Sequence, residues 1–304
     1  MSEKQLMLGN EAVARGAWEA GAAVVASYPG TPSTEITEYC AKYPDLNVEW
    51  AVNEKVALEI AFGAAIGGAR ALSCCKHVGL NVAADPLFTA AYTGVRGGLV
   101  IVVADDPGMH SSQNEQDSRY YALSAHIPML VPSDAQECKD FTKLAFELSE
   151  QYDTPVLLGT CTRIAHARSP VALEDRAQQA VKPWAKDPQK YVMMPAMARG
   201  RHVTVEAKLA EAANDLPIHR VEWADRSLGI VCAGTAYQYV KEALPDASVL
   251  KLGMVHPLPE DLIRSFADGV ERLLVIEEME PFLEDRLRAM GIACEGKTLT
   301  ATLA

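Results

Sequence analysis

A single carboxylate at the head of a small-residue helix carries the most chemistry in this sequence. Glu54 follows Asn53, a good N-cap, in VNEKVALEIAFGAAIGGAR (52–70), and the predicted helix behind it contains Ala57, Ala61, Gly63, Ala64, Ala65, Gly67 and Gly68. Each interior glycine costs ~1 kcal/mol against alanine, so three of them call for close approach of another backbone. An acid in a first helical turn is favoured by the helix dipole whether or not it reacts. Two readings therefore stand: a solvated charge at a helix start, or a sheltered acid able to hold and release a proton.

Three other segments set polar groups in apolar, turn-forming surroundings. In SYPGTPSTEI (27–36), Thr31 and Ser33 follow a Pro29–Gly30 turn, where hydroxyls either cap a helix or meet a substrate carbonyl or carboxylate. In KHVGLNVAADP (76–86), Lys76, His77 and Asn81 suit an anion pocket, or structural hydrogen bonding by the histidine. DDPGMHSSQNEQDSRYYA (105–122) reads as a long polar loop in which His110, Ser111, Ser112, Gln113, Asn114 and Arg119 contact a ligand or simply face solvent.

The elements that must position these groups alternate between strand and helix. Apolar runs at 24–29, 47–52, 71–76, 98–105, 129–133 and 155–160 predict strands, and stretches near 10–21, 33–43, 54–68, 80–93, 117–126 and 134–151 predict helices. This is the signature of a doubly wound, mostly parallel α/β sheet over residues 1–162. All four chemistry-bearing segments follow the carboxyl ends of strands, so they converge on one sheet edge. Residues 163–201, with Pro170, Pro183, Pro188 and Pro195 among charged groups, read as a linker. A helix near 203–214 then opens a smaller α/β domain over 202–304, with strands at 228–234, 248–254 and 272–279 and helices at 235–244, 258–267 and 282–290.

Composition narrows the class. Of 304 residues, 49% are hydrophobic and 22% charged, as in an ordinary folded chain, and the net charge of −12 without basic runs argues against nucleic-acid or anionic-membrane partners. No stretch approaches the ~18 apolar residues of a membrane span, and the first residues lack a signal-peptide pattern, so a cytoplasmic location is expected. The seven cysteines (Cys40, Cys74, Cys75, Cys138, Cys161, Cys232 and Cys294) have no metal-ligand spacing and are expected to be reduced and mostly buried, and no metal ligands are expected in this chain.

The blocks YPGTPSTEI, EWAVNEKVALEIAFGAA, CKHVGLNVAADPLFTAAYTG, VIVVADDPGMHSSQNEQDSRYYA and LKLGMVHPLPEDLI resemble the large (alpha) subunits of indolepyruvate:ferredoxin oxidoreductases, members of the thiamine-diphosphate-dependent 2-oxoacid:ferredoxin oxidoreductases. The resemblance runs from residue 5 to about 297. It implies a first domain that grips the aminopyrimidine of thiamine diphosphate, followed by a domain like the C-terminal domain of transketolases. Glu54 matches the carboxylate that shares a proton with the aminopyrimidine ring nitrogen, a task for a water-poor pocket. Lys76, His77, Gly79 and Asn81 match a cofactor-facing loop. Thr31, His77, Asn114, Gln116 and Arg119, with Glu115 between the loop amides, are implied near the substrate, an arylpyruvate. Tyr28, Phe88, Tyr92, Met109, Tyr120 and Tyr121 either line an apolar substrate pocket or belong to the core.

The family's Gly-Asp-Gly start of a second thiamine-binding domain and its paired cysteine runs have no counterpart here. The resemblance then implies a half-site, either of a split oxidoreductase or of a longer chain cut short: thiamine diphosphate would be shared with a partner chain or a missing domain, magnesium and iron–sulfur clusters would sit on that partner, with a small (beta) subunit besides. A second copy of this chain is a further possible partner. The remaining readings are a non-catalytic interaction or regulatory module of the same fold and a subunit of another thiamine-dependent 2-oxoacid enzyme.

Overall fold

The structure, a computed structural model, describes residues 3–213 and 217–299. The chain runs β1 (Lys4–Leu8), α1 (Gly9–Glu19), β2 (Val24–Ser27), α2 (Thr34–Cys40), β3 (Asn47–Trp50), α3 (Glu54–Ile66), β4 (Ala71–Lys76), α4 (His77–Val82), α5 (Ala84–Thr93), β5 (Leu99–Asp105), α6 (Arg119–Ala125), β6 (Met129–Leu130), α7 (Ala135–Tyr152) and β7 (Val156–Cys161). It continues through α8 (Thr162–His166), β8 (Arg168–Ala172), α9 (Pro188–Tyr191) and α10 (Pro195–Ala212). The last part holds β9 (Arg220–Glu222), β10 (Asp225–Ala233), α11 (Thr235–Ala243), β11 (Ala247–Leu252), β12 (Met254–His256), α12 (Glu260–Asp268), β13 (Leu273–Ile276) and α13 (Phe282–Ala289).

The main sheet has the order β12-β6-β7-β5-β4-β2-β3 and is parallel from β6 to β3. Its centre is covered on both faces, which is why β4, β5 and β7 read as continuous apolar runs. Alternate residues of β5 serve the two faces. Leu99, Ile101 and Val103 join a core that extends into the C-terminal half through Leu250, Leu252 and Phe282, whereas Val100 and Val102 join one with Val13, Ile36 and Phe146. Asn53 and Asp134 cap α3 and α7, their side chains accepting from the amides of Val56 and Glu137.

Residues 248–254, read as one strand, divide at Gly253. β11 stays in the second sheet, of order β13-β10-β11-β9, while β12 crosses over to pair antiparallel with β6 in the first. The stretch 163–201 contains α8, β8, α9 and the start of α10, and β8 pairs antiparallel with β1. It is tied down by Ala177 N donating to Glu19 O and Lys182 N to Gly68 O. The helix expected over 203–214 begins eight residues earlier, at Pro195, and residue 214 lies outside the described residues. The helix expected over 80–93 is two helices that meet at Ala83.

The glycine-rich helix departs from expectation. α3 ends at Ile66, with Gly67 as its C-cap and Gly68 at φ +99°, so of the three glycines only Gly63 is interior. Nothing lies within 4 Å of a Cβ built at Gly63, so the close backbone approach expected there is absent. It occurs instead at Gly68, where a Cβ would meet Lys182 O at 1.9 Å. All seven cysteines are free, and six are buried. No helix among the described residues is long and apolar enough to cross a membrane.

Candidate active site

Four adjacent parallel strands, β5, β4, β2 and β3, deliver the four chemistry-bearing segments to one edge. The chain leaves β2 for β3 on one side and returns to β4 on the other, so the order reverses between β2 and β4. Such a reversal opens the crevice where doubly wound sheets bind ligands.

Glu54 is the first residue of α3 and is half-buried, with one side open to solvent. Among the described residues the pocket expected to shield it is thus only partly formed, and the strand that leads to it, β3, is the edge of the sheet. The carboxylate rests on Gly79: a Cβ there would lie 2.6 Å from Oε1 and 2.7 Å from Cγ. Among the described residues Glu54 makes no hydrogen bond or ion pair through its side chain. A partly sheltered acid without a partner is suited to receive a donor from a bound group.

The threonine turn lies against the next segment, since a Cβ at Gly30 would meet Lys76 Cβ at 3.2 Å. The turn is built internally. Ser33 Oγ donates to Gly30 O, Gly30 N donates to Thr34 Oγ1, and Asn10 Nδ2 donates to Pro32 O. Ser33 is thereby a buried structural hydroxyl, while Thr31 stands exposed.

Lys76 is buried and its Nζ donates to Ser111 O at 2.8 Å, tying β4 to the polar loop. His77 is 1% exposed, and neither ring nitrogen has a hydrogen-bond partner, although the backbone of Ala104 and Asn114 lies beside it. Burial and the adjacent Lys76 charge lower its pKa, so the ring is neutral. Asn81 is exposed and accepts from Tyr121 OH.

The polar loop is fixed at its base by Asp106, buried at the end of β5. Its carboxylate accepts from Ser111 N, Ser112 Oγ and Thr162 Oγ1, which hold its pKa far below the usual range despite burial. Asn114 and Gln116 bond to each other at the exposed crest, and Glu115 accepts from Gly108 N. Asp105, one residue earlier, is fully buried against Ser118, and desolvation pushes its pKa up to about 7. Sequence reading assigned no role to either aspartate. The signal available was their place at the end of an apolar strand followed by several hydroxyls.

Arg119 departs most from its expected role beside the substrate. It is 6% exposed, and its guanidinium is spent on Asp117, on Glu277, and on the carbonyls of Glu278 and Glu280. Two carboxylates and two carbonyls hold its guanidinium, so the arginine joins the two halves of the chain. Of the aromatic and methionine side chains near these loops, Tyr28, Phe88, Met109 and Tyr120 are exposed and Tyr92 and Tyr121 half-buried. Tyr92 and Tyr121 pack against the core that Leu99, Ile101 and Val103 share, and the other four lie outside it.

The chain thus has a doubly wound α/β domain with an unpartnered acid beside its topological switch point. Residues 15–219 match the family described as pyruvate flavodoxin/ferredoxin oxidoreductase, thiamine diphosphate-binding, and the chain belongs to that family. Among its relatives is the indolepyruvate oxidoreductase subunit IorA of Archaeoglobus fulgidus, 45% identical over 96% of this chain and 49% of the relative. The chain thus spans about half the length of the relatives it matches at this level. The 2-oxoglutarate synthase subunit KorA of Methanothermobacter thermautotrophicus is 28% identical over 96% of this chain and 93% of its own. A solved 2-oxoglutarate:ferredoxin oxidoreductase of Magnetococcus marinus superposes with a TM-score of 0.81 at 18% identity, covering 97% of this chain and 62% of that one, a likeness of fold.

Proposed function

We propose that the chain is a component of a thiamine-diphosphate-dependent 2-oxoacid:ferredoxin oxidoreductase acting on indolepyruvate or a related arylpyruvate. The single observation that carries this reading is the Glu54 carboxylate, seated on Gly79 without a partner beside the Thr31 turn and the Lys76–His77 segment. Thiamine diphosphate held there would supply a nucleophilic carbon for 2-oxoacid chemistry. Glu54 holds the proton shared with the aminopyrimidine ring nitrogen. Gly79 leaves room for the acid to reach that atom. Thr31 presents an exposed hydroxyl to the substrate, and His77, Asn81, Asn114 and Gln116 surround the same crevice. The exposed Tyr28, Phe88 and Met109 suit an aromatic side chain, and the 45% identity to an indolepyruvate oxidoreductase subunit favours that substrate over 2-oxoglutarate.

The reading assigns diphosphate, magnesium and iron–sulfur clusters to the Gly-Asp-Gly and ferredoxin domains, on a partner polypeptide or on a further part of a longer chain, with a small subunit besides. Those domains complete the open side of Glu54. Seven free cysteines agree with a cytoplasmic setting. The test is reconstitution with such partners, reading viologen reduction driven by indolepyruvate. Glu54→Gln should lower the rate about 10²–10⁴-fold, the range for a lost general acid–base group. A reconstituted complex indifferent to Glu54→Gln would return the chain to the class of non-catalytic modules.

A further inference from the structure

The second sheet has a switch point of its own. β11 lies on one side of β10 and β13 on the other, so the crevice expected at the carboxyl ends of strands falls between Gly234–Thr235, after β10, and Glu277–Met279, after β13. A cavity of about 50 Å³ occupies that place and is lined also by Thr160 and Cys161 at the end of β7. It is separate in composition from the Glu54 edge, since none of Thr31, Glu54, Lys76 or His77 lines it.

Its polar groups fall into two sets. Asp105, Arg119, Glu277 and Glu278 are engaged: Asp105 with Ser118, Arg119 with Asp117 and Glu277, and Glu278 with Arg163. The other set is open. Gly234, at φ +57°, turns the chain into nine-residue α11, whose N-terminus has no side-chain cap; Tyr237 N donates to Gly234 O, which leaves the amides of Thr235 and Ala236 as the open first-turn donors. Thr160 is 6% exposed, and its hydroxyl has no hydrogen-bond partner. A buried hydroxyl without a partner costs ~1–3 kcal/mol, so a polar atom bound there recovers stability. The remaining walls are apolar, from Met129, Val131, Ile164, Val255 and Met279. Through Ile164 and Thr235 the cavity adjoins an outer groove of about 440 Å³ that carries Arg163 and Tyr239.

We propose that this junction is a second ligand site, for a short-chain monocarboxylate, independent of the thiamine reading. The carboxylate accepts from the first-turn amides of α11 and the Thr160 hydroxyl, the apolar end lies against Met129, Val131 and Met279, and Arg163 stands at the mouth. Because both halves of the chain line the cavity, occupancy strengthens their contact.

The probe is isobutyrate, added to the full chain and followed by thermal unfolding and by amide hydrogen exchange. A saturable rise in Tm is expected, with protection in 158–164 and 233–239. Thr160→Val, nearly isosteric at a position without a partner, should keep the ligand-free Tm and weaken isobutyrate at least about ten-fold, and Thr160→Ser should restore it. Isobutyramide and inorganic phosphate should produce no shift. The site is refuted by the absence of saturation, by an equal response to isobutyramide, by undiminished binding in Thr160→Val, or by protection confined to 28–33 and 76–82.

Discussion

The carboxylate of Glu54 occupies the space that a side chain at position 79 would fill, with Oε1 2.6 Å from where the Gly79 Cβ would stand. The two residues come from different helices, α3 and α4, which follow strands on either side of β2. Glycine at 79 is thus a requirement set by the acid at 54.

Gly79→Ala tests that relationship. The obstructing atoms belong to the end of a flexible side chain, so the carboxylate can swing aside and the fold should lose less than about 1 kcal/mol. The displaced acid no longer meets its target, and the reconstituted activity should fall about 10²-fold, as expected for a misplaced catalytic group. Urea unfolding checks the first outcome and viologen reduction the second. Equal losses in Gly79→Ala and wild-type-like activity in Glu54→Gln would together exclude the pairing.

The adjacent aspartates should give opposite pH dependences of stability. Asp105 has its pKa raised from 3.8 to about 7, so the native state keeps a proton that the unfolded state releases, and stability falls as pH rises from about 4 to 7. Asp105→Asn should abolish that decline. Asp106 is held well below its ordinary value, so its contribution is present above about pH 4 and is lost as pH falls through the folded value. Asp106→Asn should therefore cost most at pH 7 and progressively less as pH falls below about 4. Urea midpoints between pH 2 and 8 separate the two; parallel slopes in both variants would contradict the assignment.

Much of the site was legible because its residues follow strands whose apolar runs are unmistakable. β4 and β5 are buried at every position, and the convergence of their trailing loops follows from parallel pairing. What the sequence concealed is long-range. β1 pairs with β8 some 160 residues away, without a turn signal, and its first three residues are exposed, so no alternation marks it. β12 is three residues long, and nothing local shows that it joins the other sheet. The commitment of Arg119 to Glu277 likewise depends on how the halves pack.

The glycines in and just after α3 supply a third prediction, from an expectation that the structure corrects. Gly63→Ala should stabilise the isolated chain by about 0.5–1 kcal/mol, because the site is helical, exposed and empty of neighbours within 4 Å. Gly68→Ala should cost at least about 2 kcal/mol, combining a left-handed φ with a clash against the Lys182 backbone. Chemical denaturation of both variants distinguishes the helix interior from its end. Loss of stability in Gly63→Ala would mean that α3 is more crowded than the fold shows.

Arg119 offers the sharpest test of how the two halves are held. Its side chain is 7% exposed, between Asp117 at 1% and Glu277 at 3%, in a region with little water. Burial raises the pKa of Glu277, and the charge of Arg119 opposes that rise. Arg119→Met leaves two buried carboxylates without their cation and should destabilise the chain by about 3–5 kcal/mol. If the cost arises from the stranded acids, Glu277→Gln should be much less harmful in the Arg119→Met background than alone. The double-mutant cycle should then give a coupling of more than about 1 kcal/mol. Additive losses would show instead that Arg119 acts through its packing over Phe282, 5.1 Å from the ring centre, and that the ion pair contributes little.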